Sequence, residues 1–279
     1  MNFLKIYSLF EVTNYIKMIG AIIGDIIGSR FEFNNHRSTE FELFASGCEF
    51  TDDTICTVAV AEWLLGERLK DLSEIMRRWC RKYPSSYGGM FGRWIWDDNM
   101  GSYNSYGNGA AMRVSPVAWA YGNISDVVTA AKKSAEISHD HPEGIKGAQS
   151  VAEAIYMLLC GYDKRVVFNS IFTKYGYKSP GTCNKIRLIN QFDETCQVCV
   201  PQAFQCLLES SDFESAIRLA ISIGGDSDTI AAIVGSLSEA CYGVPNELEE
   251  RALAFLPDDM IKVISEFKKL CHYGKRNKD

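Results

Sequence analysis

The sequence predicts an all-α chain folded as one compact multi-helix domain. Two patterns carry this reading. Apolar residues recur at helical spacing in segment after segment. Asp, Ser, Thr or Glu stands before many of these segments, where a side-chain oxygen caps a helix. A length of 279 residues can bury one substantial core.

Residues 1–17 read as an N-terminal arm or short helix, and residues 18–271 as the helical catalytic domain. Met18 to Ile27 is a first core helix. Its Gly20, Gly24 and Gly28 share one face, which suits close crossing by another helix. Gly28 would also let the chain turn. Asp25 lies on this otherwise apolar segment, so it needs a partner or orients a ligand group. Residues 34–50 are polar, interleaved with Phe41, Phe44 and Phe50, and read as a loop over a site. Ile55 to Leu65 is nearly all apolar and predicts a buried helix. Asp71-Leu72-Ser73-Glu74 is a capping-box variant. It opens a structural helix with Leu72, Ile75, Met76, Trp79 and Cys80 at helical spacing.

Residues 84–109 are rich in Pro, Ser, Tyr, Gly, Trp and Asn, and predict a long irregular loop. Its Trp94, Trp96, Tyr103 and Tyr106 suit either a wall for a base or ribose, or rigid surface packing. Ala111 to Tyr121 reads as helical despite Pro116. A helix at 125–138 should turn Val127, Val128, Ala131 and Ala135 inward. Pro142 suits a first helical position, which makes His141 the cap of a helix at 142–160. Another helix covers 164–175, and 176–194 is a polar loop with a short turn. In the helix at 196–209, Cys196 and Cys199 fit core packing better than a zinc or redox pair, since no second CxxC or nearby His accompanies them. Ser211-Asp212-Phe213-Glu214 is a second capping box. Gly224 and Gly225 end its helix and reverse the chain. Helices at 228–242, 246–254 and 259–271 follow, then a frayed tail at 272–279.

Two acidic stretches stand out. Thr51-Asp52-Asp53-Thr54 precedes one apolar helix, and Gly224-Gly225-Asp226-Ser227-Asp228-Thr229 precedes another. Taken singly, each is an ordinary helix start, where N–H groups and the dipole favour carboxylates. Taken together, they suggest a shared site. Four converging carboxylates would raise one another's pKa, and a hard divalent cation removes that conflict. Thr51, Asp52 and Asp53 would form one side of a two-metal site, and Asp226, Asp228 and Thr229 the other, with Asp228 bridging.

A formal net charge of −6 argues against a protein that grips a nucleic-acid backbone, though not against a modified nucleic-acid end. Ten cysteines in a chain of this size, with no basic start and clean apolar core at residues 1–17, predict a reduced cytoplasmic enzyme. The apolar run Ile19–Ile27 is too short to span a membrane and carries Asp25. A monomer is expected.

The segments Gly20–Glu32, Thr51–Thr54, Gly107–Arg113 (Gly-Asn-Gly-Ala-Ala-Met-Arg) and Gly224–Thr229 together resemble the ADP-ribosylglycohydrolase family, in the family's order. That resemblance implies an all-helical fold and two Mg²⁺ or Mn²⁺ ions. It also implies removal of ADP-ribose from a modified protein or a small ADP-ribosyl compound, with a slight lean to an arginine linkage. It implies that Glu32 touches the substrate ribose or the catalytic water, a task Asp53 could share. It implies that Gly107, Asn108, Gly109, Met112 and Arg113 line the ADP-ribose cleft, with His139, Gly225 and Ser227 also on the substrate side, and that linkage specificity is set within 176–194. On the residues alone, Arg113 is equally a salt-bridge partner, and His139-Asp140-His141 is a weak zinc pattern. Two metals held by Asp residues suit a phosphohydrolase as well. A non-catalytic ADP-ribose-binding protein is a third reading, which the intact set of acidic residues disfavours.

Overall fold

Fifteen α-helices and no β-strand make up the described residues of the computed structural model, which are 18–66, 71–85 and 87–270. The expected arm at 1–17 and tail at 272–279 lie outside them. The helices from Ile19 to Leu65 follow the sequence reading. Helix α1 (Ile19–Ser29) is buried through Gly28, and Gly20 N–H donates to Glu239 across the core. Helix α2 (Asp52–Leu65) starts at Thr51, whose hydroxyl accepts from Asp53 N–H. In α3 (Leu72–Lys82), Asp71 caps Ser73 N–H with a single bond rather than a full box. Trp79 is a core residue whose Nε1 donates to Glu62 at 2.7 Å.

The long loop expected at 84–109 contains a helix, α4 (Gly89–Trp96). Its glycines and tryptophans hide an i, i+3, i+4 face of Phe91, Trp94 and Ile95, all buried. Trp94 packs under the Arg77 guanidinium, whereas Trp96 is exposed. The helix expected over Ala111–Tyr121 is two short ones, α5 (Gly109–Met112) and α6 (Ser115–Ala120). Pro116 explains the break: it has no N–H to give the Met112 carbonyl and its ring crowds that turn, so the chain restarts with Pro in the first turn. Helix α7 (Ile124–Glu136) buries Val127, Ala130, Ala131 and Ala135, and leaves Val128 only partly covered. His141 does cap α8 (Pro142–Leu159), its ring nitrogen accepting from Glu143 N–H.

After α9 (Lys164–Tyr175) comes α10 (Cys183–Ile189), where only a short turn was expected; Thr182 caps it. Cys196 and Cys199 are buried on α11 (Cys196–Glu209), and their thiols donate to the carbonyls of Gly107 and Asp193. The capping box before α12 (Phe213–Ser222) is shifted by one residue. Asp212 and Ser215 exchange the two bonds, because Asp212 holds the extended N-cap conformation. Helix α13 (Ser227–Tyr242) is buried from Ser227 to Glu239, and α1, α8, α11 and α12 pack round it. Helices α14 (Asn246–Leu253) and α15 (Asp258–Leu270) close the domain. No helix among the described residues is long and apolar enough to cross a membrane.

Candidate active site

The site begins with glycine. A Cβ on Gly20 would lie 2.3 Å from the Gly235 carbonyl oxygen, one on Gly24 2.0 Å from that of Ala231, and one on Gly28 2.5 Å from Asp228 Cα. The three glycines are therefore the face on which α1 lies directly against the α13 backbone. Gly28 remains within α1 without a positive φ, so it serves this approach rather than a turn. The contact fixes the last turn of α1 against the first turn of α13.

Asp25, in that same part of α1, ties in the third helix. Both the N–H and the hydroxyl of Thr51 donate to it, at 2.9 and 2.6 Å, as do both those of Thr54. One buried carboxylate thus holds the start of α2. The second acidic turn is shaped by Gly224 (φ +65°) and Gly225 (φ +88°), conformations that disfavour a side chain. Asn35 brackets Gly225, accepting from its N–H and donating to its carbonyl, both at 2.8 Å. Arg37 donates to the Ile223 carbonyl at 2.6 Å and to the Asn190 carbonyl at 2.7 Å.

These restraints bring the two acidic stretches together. Thr229 Oγ1 donates to Asp53 Oδ2 at 3.2 Å, across 176 residues of sequence. Carboxylate oxygens of Asp25, Asp53 and Asp228 lie within 4.8 Å of one another, and so do those of Glu32, Asp226 and Asp228. Asp228 belongs to both groups. Asn108 steadies Asp226 with a 2.7 Å bond. Thr51 gives its hydroxyl to Asp25, and Asp52 lines the cleft without joining either triad.

The electrostatics are unfavourable as they stand. Burial pushes the Asp25 carboxyl up to about 6 despite its four donors. Burial and then the Asp226 charge push Glu32 up to about 7. Burial and then Asp25 push Asp52 up to about 8. Asp53 and Asp228 are held well above the usual carboxylate range by burial and neighbouring carboxylates. Asp53 Oδ1 is buried with no hydrogen-bond partner. An all-oxygen, mutually repelling set with an orphaned carboxylate oxygen fits a hard divalent cation.

A pH dependence follows. Raised carboxylates bind protons in the folded chain that the unfolded chain releases near pH 4. Between there and about pH 8 the folded state binds more protons, so stability falls as pH rises. The melting temperature of EDTA-treated protein should drop between about pH 5 and about pH 8, and Mg²⁺ or Mn²⁺ should raise it most at the upper end. Thermal unfolding across that range checks this; a flat profile indifferent to cation would contradict it.

Beside the carboxylates runs a cleft lined by Asp52, Asp53, Asp226, Asp228, Thr229 and Glu32, and by the turn Gly107–Gly109 with Met112, Arg113 and His139. Gly225 and Ser227 are not on its wall; they form the turn that sets Asp226. Two N–H groups of the glycine turn are already used, Gly107 by Ser105 Oγ and Asn108 by the Glu194 carbonyl. Of the four rings expected as a wall, Tyr103 lines this cleft and Tyr106 an adjoining hollow, where it packs on His141. Phe91 of α4 and Glu194 also line the cleft. Neither is among the site residues expected from the sequence. The spacing of Phe91 with Trp94 held a readable signal; Glu194 sits in a polar stretch with none. In His139-Asp140-His141, His139 meets Ser138, Asp140 accepts from Ser102 and Asn104, and His141 caps α8.

Comparison with known proteins bears on these observations. The family model described as ADP-ribosylglycohydrolase matches residues 17–276. ADP-ribosylhydrolase ARH3 of Homo sapiens is 24% identical, over 88% of this chain and 90% of its own. The ADP-ribosylarginine hydrolase Tri1 of Pseudomonas putida is 23% identical, over 81% of this chain and 70% of its own. A solved structure described as an ADP-ribosylglycohydrolase-related protein complex superposes with a TM-score of 0.70 at 23% identity. It covers 91% of this chain and 96% of that one, and at such identity speaks for the fold.

Proposed function

The chain belongs to the ADP-ribosylglycohydrolase family, and from that premise we propose that it hydrolyses the glycosidic bond joining ADP-ribose to an acceptor, with two divalent cations, Mg²⁺ or Mn²⁺, as cofactors. The observation that carries this reading is the sharing of Asp228 between two carboxylate triads beside a cleft. Asp25, Asp53 and Asp228 would hold one cation and Glu32, Asp226 and Asp228 the other, with Asp52, Thr51 and Thr229 in support. Bound cations supply orientation of ribose hydroxyls and an acidified water.

The chain's own groups account for the rest. Cleavage at the anomeric carbon passes through an oxocarbenium-like state, and the carboxylates favour its positive charge. Glu32 lies at the edge of the cluster and is half-buried. A carboxylate placed there can give one oxygen to the cation and turn the other toward the catalytic water or the ribose, orienting it for attack. Asp53, oriented by Thr229, is the second candidate. The cleft lined by Gly107–Gly109, Met112, Arg113 and His139 would take the ADP-ribose.

An arginine-type acceptor is favoured by two observations. One is the likeness to an ADP-ribosylarginine hydrolase. The other is a second groove that shares Glu32 and Asp52 with the cleft and adds Glu49, Phe33 and Phe50, with no cationic side chain among its described lining residues; carboxylates and aromatic faces suit a guanidinium. The nine described cysteines are all free, which supports a cytoplasmic setting.

The test is a panel of ADP-ribosyl-arginine, ADP-ribosyl-serine and ADP-ribosylated nucleic-acid ends, each with and without Mg²⁺ or Mn²⁺. Free ADP-ribose, made fastest from the arginine conjugate and only with cation, is the expected product. Release of AMP or inorganic phosphate instead would indicate a phosphohydrolase. Tight ADP-ribose binding without turnover would indicate a binding protein.

A further inference from the structure

Arg113 has an unusual setting. Its side chain is wholly buried, and no carboxylate pairs with it among the described salt bridges. Nη2 donates to the Ser134 carbonyl and to Ser138 Oγ, each at 2.9 Å. Nε and Nη1 have no hydrogen-bond partner. Burying a guanidinium this way is costly, so the fold must gain something by it.

Ser138 Oγ, also fully buried, lies 2.8 Å from His139 Nδ1. Guanidinium has donors only, so Ser138 Oγ accepts from Arg113. The Ser138 proton then needs an acceptor, and His139 Nδ1 is the one in reach. Were Nδ1 protonated, the buried Ser138 hydroxyl would lack an acceptor, at a cost of about 1–3 kcal/mol. Donor counting therefore puts the ring proton on Nε2. Burial, and then the nearby Arg113 charge, keeps His139 from gaining a second proton. Phe91 and Tyr103 flank the ring, with centroids at 6.4 and 6.0 Å. Nε2 faces the glycine turn: a Cβ on Gly109 would come within 3.1 Å of it, and one on Gly107 within 3.4 Å.

We propose that Arg113 and Ser138 form a positioning relay, in which Arg113 donates to Ser138, Ser138 donates to His139 Nδ1, and His139 is thereby fixed with Nε2–H beside the Gly107–Gly109 turn of the cleft. That the ligand meeting Nε2–H there is ADP-ribose rests on the function proposed above. Arg113 acts here through its neighbours, not by clamping phosphate itself.

The experiment uses the full chain with ¹⁵N-labelled histidine and Mg²⁺, comparing wild type with Ser138→Ala. Long-range ¹H–¹⁵N correlation spectra read which nitrogen of His139 carries the proton, and calorimetry with free ADP-ribose reads affinity. Wild type should show a bare Nδ1 and a protonated Nε2. Ser138→Ala should show a mixture of tautomers and bind ADP-ribose about tenfold more weakly, with helicity and cation affinity unchanged. His139→Gln, whose amide nitrogen can stand in for Nε2, should bind more tightly than His139→Asn. A protonated Nδ1 in wild type, or an unaltered tautomer and affinity in Ser138→Ala, would overturn the relay. The spectra need neither ligand nor turnover, so failure to bind ADP-ribose or to cleave any conjugate would count against the function, while the tautomer of His139 in wild type and Ser138→Ala would still decide the relay.

Discussion

Replacing Asp228 with Asn is expected to lower turnover by about three orders of magnitude, the scale on which loss of one preorganised electrostatic group is felt. Asp228 is the residue common to both carboxylate groups, so one substitution weakens both proposed cation positions. The variant should lose most of the melting-temperature rise that Mg²⁺ or Mn²⁺ gives wild type. It should nevertheless remain helical. Burial, and then the Asp226 and Asp53 charges, hold the Asp228 carboxyl well above the usual carboxylate range, and a neutral amide removes both the buried charge and that repulsion. Without cation, the variant should therefore melt at or above the wild-type temperature near pH 8. A purely structural Asp228 would give the opposite pattern, with lower stability and turnover lost only through unfolding. Turnover, cation-dependent melting and far-UV circular dichroism on one preparation separate the two. Turnover within tenfold of wild type would remove Asp228 from the site.

Gly24→Ala is expected to cost the most stability. The added Cβ would sit 2.0 Å from the Ala231 carbonyl oxygen and 2.3 Å from its carbon. Both belong to backbone in the middle of α13, so no side chain can swing aside. Alanine's better helix propensity returns about 1 kcal/mol, and overpacking of a tight core costs up to about 3 kcal/mol or more. We expect a net loss of about 2–3 kcal/mol, or a fall in melting temperature of about 5–10 °C for a domain of this size. Cation affinity should fall as well, since pushing α1 from α13 draws Asp25 from Asp228. Gly88→Ala and Gly122→Ala are the controls, as a Cβ at either meets nothing within 4 Å. A Gly24→Ala protein as stable as these controls would show that α1 and α13 do not cross as closely as described.

Much of this architecture could be read from local chemistry. The i, i+4 spacing of Gly20, Gly24 and Gly28 announced a close crossing, and Asp25 announced a buried partner, because both features are costly unless answered. What answered them could not be read. Gly235, Ala231 and the Thr51–Thr54 start of α2 are brought there by tertiary packing, which leaves no mark on sequence spacing. Helix α4 was obscured by Gly88-Gly89 and by aromatic residues that also suit loops, although Phe91, Trp94 and Ile95 kept helical spacing. Pro116 was legible as a breaker, and its placement in the first turn of α6 rather than inside a longer helix follows from its missing N–H. In the site, the two acidic stretches were evident as pairs of carboxylates and hydroxyls. Their neighbours were not: Thr51 and Thr54 both give their hydroxyls to Asp25, and a carboxylate oxygen of Asp25 lies within 4.8 Å of those of Asp53 and Asp228. Arg113 looked the same in sequence whether it met a phosphate, a carboxylate or a serine.

Asp25, Asp53, Asp226, Asp228 and Glu32 are proposed to cradle two divalent ions. Anomalous diffraction at the manganese edge, from crystals of the protein grown with Mn²⁺, would locate them. Two anomalous peaks are expected, both beside Asp228, one also near Asp25 or Asp53 and the other near Glu32 or Asp226. Full-occupancy manganese elsewhere on the chain, with no peak at Asp228, would contradict this proposal.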